Sequence, residues 1–128
     1  METAAIVAGA GIALITIFQI ALALGAPAGA AAWGGSYPGV LPTRLRVASG
    51  FVGAIFYPVI FLFILDAGGV VDTGLAEGSF TKGLLWILAG LFTLGALANF
   101  ASKSKVERLW GPVALVIAVC CVIIAVSI

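Results

Sequence analysis

Four long apolar runs, nearly free of charge, alternate with three shorter connections that hold most of the polar and turn-forming positions. The runs are Ala4 to Ala26, Leu45 to Leu65, Gly83 to Ala101 and Leu109 to Ile128. A helix needs about 20 apolar residues to cross about 30 Å of hydrocarbon, and each run has that length. None alternates in polarity every second residue, as a strand of a membrane barrel would. Backbone surrounded by lipid must satisfy its own hydrogen bonds, so these runs are read as helices. The pattern predicts an all-α fold, a four-transmembrane-helix antiparallel bundle. It is a single membrane domain over residues 1–128, with a Gly/Pro-rich loop, residues 27–44, between helices 1 and 2.

The ends of the runs carry capping signals. Thr43 is placed to cap the second helix, and Ser79 or Thr81 the third. Ser104-Lys105-Val106-Glu107 has the spacing of a capping box, in which Ser104 and Glu107 each satisfy a backbone N–H of the other. It predicts a fourth helix starting near Lys105, with Pro112 inside it. Pro58 falls in the middle of the second run, where it removes the bond to the Ala54 carbonyl. The first run is read as a true span rather than a removed signal. The start, Met1-Glu2-Thr3, has no positive segment, and the apolar stretch is longer than a signal core.

Charge sets the orientation. Only 9% of residues are charged, against about 25% in a soluble domain. The net charge is +1, which excludes nucleic acid as a partner, since that needs a concentrated basic face. Arg44 and Arg46 lie in the first connection, Lys82 in the second, and Lys103, Lys105 and Arg108 in the third. Positive residues collect on the cytoplasmic side. The expected location is a bacterial inner membrane, with both termini extracytoplasmic and the first and third connections inside.

The stretch "GAPAGAAAWGGSYPGVLP", Gly25 to Pro42, carries no charge. A solvated linker would be rich in serine and charge. Trp33 and Tyr37 favour the headgroup level of a bilayer. A compact loop lying on the mouth of the bundle is expected. The topology brings Arg46 and Ser49, one turn apart on the second helix, to the same end as Asn99, Glu107, Arg108 and Gln19. These six, with Trp33 and Tyr37 of the loop, are the candidate binding residues. One reading makes them polar glue between helices, with Glu107 paired to Arg46 or Arg108. The other makes them a site for a small polar solute or a lipid headgroup.

Two stretches, "GAPAG…WGGSYPGVLPTRLRVAS" and "NFASKSKVERLWGPVAL", resemble the signature stretches of a family of small bacterial four-helix membrane proteins. The matching positions are Gly25, Ala26, Pro27, Gly29, Gly34, Gly35, Pro38, Gly39, Leu41, Pro42, Arg46 and Ser49. In the second stretch they are Asn99, Ser104, Glu107, Arg108, Trp110, Pro112 and Val113. The resemblance covers about a third of the chain. Ala28 and Ala30 to Ala32 stand where the family carries bulky aromatic or charged residues. The resemblance implies the four-helix architecture and singles out the loop end of the bundle. It implies no reaction.

Raw material for catalysis is scarce. There is no histidine, and no carboxylate pair lies within a run. Cys120 and Cys121 are adjacent, which fits no zinc motif, and they read as small apolar helix residues. Neither catalytic residues, metal ligands nor a cofactor are expected. Asp66 reads as a solvated boundary residue. Three function classes stay open. The first is a protein that binds or conducts a small solute, or binds membrane lipid. The second is an accessory or scaffold subunit of a larger membrane complex, and the third a membrane enzyme acting on a lipid. A homo-oligomer fits the small-residue spacing Ala5, Gly9, Ala13 and Ser49, Gly53, as does packing within one bundle.

Overall fold

The computed structural model describes residues 1–128 and is built from helices alone. α1 spans Glu2–Ala23. It stops short of Ala26 because Gly25 takes φ +100°. There the Ala26 N–H donates to the Ala21 carbonyl at 3.0 Å, and the Gly25 N–H to the Leu22 carbonyl at 3.1 Å. This paired closure satisfies the last carbonyls of a helix and favours a residue with no Cβ. α2 spans Thr43–Ala67 and α3 Phe80–Phe100. α4 spans Glu107–Ser127, opening with a 3-10 turn, Glu107–Leu109, before α-helix from Trp110.

Several local expectations are corrected. Thr43 does not cap α2, and Ser79 precedes α3 without a side-chain bond to it. Thr81 is buried, and its hydroxyl meets no partner. The capping box is half made. The Glu107 N–H donates to Ser104 Oγ at 3.2 Å, but the Glu107 carboxylate turns away to the loop. α4 therefore starts at Glu107 and not at Lys105. Pro112 then lies in the first turn of the α-helical part, where a missing N–H costs nothing. Pro58 neither breaks α2 nor leaves it regular. The turn before it, Val52–Phe56, is π-helical, and the Tyr57 N–H reaches back to the Val52 carbonyl. A wider turn makes room where a proline ring would otherwise meet a carbonyl of the preceding turn.

The helices pack as α2 on α1, α1 on α4, and α4 on α3. Small residues set the closeness of α1 and α2. A Cβ at Gly53 would come within 3.0 Å of Gln19 and 3.1 Å of Ile20, and one at Gly9 within 3.2 Å of Leu65. The core on this plan holds Ile12, Ile64, Leu85, Ile117, Cys121 and Ile124, all fully buried. Both cysteines are free thiols inside it. α2 and α3 share the core but do not approach one another as closely, so the bundle has three close seams and one looser one.

Large apolar side chains also cover the outside. Ile17, Leu94 and Val126 are each more than 60% exposed, and many others resemble them. Water would not tolerate so continuous an apolar surface, whereas lipid does. With four helices long and apolar enough to cross a bilayer, the chain is a multi-pass membrane protein.

Candidate functional site

The loop between α1 and α2 is compact. Two 3-10 turns, Gly29–Ala31 and Trp33–Gly35, fold it back on itself. The Gly29 N–H donates to the Gly39 carbonyl at 2.8 Å. Leu22, Ala32 and Leu41 form a small buried cluster beneath it, flanked by Phe18, Tyr37 and Leu45. Full burial of a leucine is worth about 1.5–3 kcal/mol, so this cluster offsets part of the ordering entropy.

Three polar bonds then tie the loop to the helices. Trp33 Nε1 donates to Ser49 Oγ of α2 at 2.9 Å. The Gly34 N–H donates to Glu107 Oε2 at the start of α4, also at 2.9 Å. Ser104 Oγ donates to the Ala30 carbonyl. Trp33 adopts φ +50°, a left-handed conformation that costs a side-chain-bearing residue about 1–2 kcal/mol. That conformation brings the indole to Ser49 and the next N–H to Glu107.

Below this roof, the looser α2–α3 seam contains a cleft of about 350 Å³. Ligand pockets run from about 300 to 1,000 Å³, so it suits one small amphiphile or one chain of a lipid. Val52, Phe56, Tyr57 and Ile60 of α2 form one wall. Leu88, Leu91, Phe92, Gly95 and Asn99 of α3 form the other. Ile15, Phe18 and Gln19 of α1, with Trp110 and Ala114 of α4, make its back. Ala31, Ala32 and Trp33 of the loop close one end, beside Glu107. Phe56 and Leu91 are about half exposed although they line it, so the cleft opens sideways between the helices. Most of its polar groups gather at the loop end, and its deeper part is apolar apart from Tyr57.

The structure divides the eight predicted site residues. Gln19, Trp33, Asn99 and Glu107 share the cleft. Gln19 Oε1 itself is sealed from accessible space and has no hydrogen-bond partner. Ser49 is fully buried and supports the cleft only through its bond to Trp33. The remaining three serve elsewhere. Arg46 Nε donates to the Ala23 carbonyl at 3.1 Å, satisfying the end of α1. Arg108 Nε donates to the Ser102 carbonyl at 2.7 Å. Tyr37 flanks the loop cluster, and its hydroxyl accepts from Arg44 at 2.9 Å. Glu107 thus pairs with neither Arg46 nor Arg108. A carbonyl lacking an N–H partner is a strong acceptor; Arg46 meets one at the end of α1 and Arg108 one in the connection after α3.

Two other polar groups of the spans are satisfied locally. Thr16 and Thr93 donate to the carbonyls of Ile12 and Ala89 on their own helices. At the opposite end, Asp66 is more than a solvated boundary residue. Its Oδ2 accepts from the Thr73 hydroxyl at 2.6 Å and from the N–H groups of Thr73 and Leu75, which folds the α2–α3 connection.

Sequence reasoning passed over the aromatic lining, Phe18, Phe56, Phe92 and Trp110. The available signal was helical spacing. Leu88, Phe92, Gly95 and Asn99 recur on one face of α3, as do Val52, Phe56 and Ile60 on α2. Neither a family model, a curated protein nor a solved structure matches the chain.

Proposed function

We propose that this protein binds the apolar chain of a lipid or similar amphiphile in the α2–α3 cleft, with the polar end under the Gly25 to Pro42 loop. One observation carries the reading: the cleft is apolar in depth apart from Tyr57, polar at the roofed end, and open sideways where lipid would surround the bundle. A molecule entering from the bilayer needs no aqueous path. Conduction of a polar solute has less support, because Thr16 and Thr93 bond their own helices and Tyr57 is left as the single polar side chain deep in the cleft. The resemblance to small bacterial four-helix proteins supports placement in a bacterial inner membrane.

A side chain built at Gly95 meets no atom within 4 Å, and Gly95 lines the cleft. Gly95→Trp is therefore expected to fill the cleft while the bundle stays folded. Mass spectrometry of protein released intact from a neutral detergent should find bound lipid or amphiphile on the parent chain. On Gly95→Trp it should be reduced roughly tenfold, equivalent to about 1.4 kcal/mol. Equal retention by both chains would place the bound molecule elsewhere. A co-purifying protein, with no small amphiphile, would favour the accessory-subunit reading.

Five of the six lysines and arginines lie at the loop end, which supports a cytoplasmic position for that end. In a chain freed of Cys120 and Cys121, an impermeant thiol reagent added from outside should label Thr73→Cys and spare Ser36→Cys. The reverse pattern would invert the topology.

A further inference from the structure

The charge that the loop end of the cleft would accept can be argued from its lining. Glu107 is 6% exposed, yet the one hydrogen bond its carboxylate receives comes from the Gly34 N–H, on Oε2. The nearby arginines are engaged with backbone carbonyls, so neither neutralises it. A carboxylate removed from water is costly unless a cation or several donors compensate it. Glu107 lines the cleft, so a compensating group can reach it from there.

The walls around it are aromatic. Phe18, Trp33, Phe56, Tyr57, Phe92 and Trp110 all line the same cleft. Phe18 and Trp110 lie 4.9 Å apart between ring centroids, behind the polar end. Aromatic faces attract cations, most strongly when water is excluded, and quaternary ammonium groups are recognised in this way. A carboxylate and aromatic faces form an electron-rich wall that disfavours an anionic headgroup.

We propose that the cleft selects a cationic amphiphile, an alkylammonium whose nitrogen lies against Glu107 and whose chain runs down the α2–α3 seam. This rests on the cleft reading above. The ammonium has two sources, the amine headgroup of a membrane lipid or a free alkylammonium compound.

The test uses the full chain in dodecyl maltoside micelles, which carry no charge. Trp86 is exposed on α3 and does not line the cleft, so Trp86→Phe leaves Trp33 and Trp110 as reporters. Their fluorescence is titrated with dodecyltrimethylammonium and, separately, with dodecanol. The expected result is roughly tenfold tighter binding of the cation, lost in Glu107→Gln, while dodecanol binds both chains alike. Equal affinity for the two probes on the parent chain overturns the charge assignment and leaves the apolar cleft standing. That comparison does not depend on the variant folding. Binding of neither probe overturns the cleft reading itself. Reconstitution with phosphatidylethanolamine or with phosphatidylglycerol separates the sources. Selective retention of phosphatidylethanolamine supports the lipid headgroup, and cation binding without it supports a free amphiphile.

Discussion

Deleting Ala54 is expected to destabilise the protein by about 3 kcal/mol, and Pro58→Ala in the same chain to recover most of that loss. The π turn Val52–Phe56 holds one residue more than an α turn would. Removing an exposed residue from it lets α2 run as regular α-helix, and the parts on either side keep their faces. Pro58 then meets the carbonyl one turn before it, with no widened backbone to accommodate its ring. Thermal unfolding in a mild detergent, over the parent, the deletion, Pro58→Ala and the combination, measures the coupling directly. An equal loss with and without the proline would show that the wide turn exists for another reason.

Gly29 and Gly90 are expected to respond to alanine with opposite signs. A Cβ at Gly29 would run into the Tyr37 carbonyl and come within 2.7 Å of the Gly39 carbonyl. Both are backbone, so neither can swing aside. Gly29→Ala should cost about 1–3 kcal/mol, the range for overpacking. Gly90 lies on the outer face of α3, where an added Cβ meets nothing within 4 Å. Gly90→Ala should stabilise by up to about 1 kcal/mol through helix propensity alone. The same unfolding measurement applies, and a loss of similar size at both positions would mean that the loop is not packed as described.

These two predictions concern what the sequence could not show. The four spans were legible because apolar runs of that length leave the backbone few alternatives in lipid. The compactness of the loop was legible too, from glycine and proline beside Trp33 and Tyr37 in place of charge. The partners of Arg46 and Glu107 were not. Opposite charges at one end of a bundle suggest a pair, but a free helix-end carbonyl competes for a guanidinium. Arg46 went to Ala23, and Glu107 was left to a loop N–H. The π turn escaped notice because proline marks only where an N–H is missing. It does not say whether the helix kinks, breaks or widens. The cleft was least visible of all. Its walls lie on readable helical faces, but which pair of helices packs less closely depends on how all four meet.

The loop's ties to the third connection have a consequence for how the molecule is made. Gly34 and Ala30 find their partners, Glu107 and Ser104, some seventy positions later in the chain. A ribosome delivers α1, the loop and α2 well before those partners exist. Through that interval Trp33 can bond to Ser49, since both are already made, while the other two ties stay unmet. The roof is therefore half fastened during synthesis and becomes complete only when the start of α4 arrives. A nascent chain ending before Ser104 would carry α1 to α3 with that end of the molecule still unlatched.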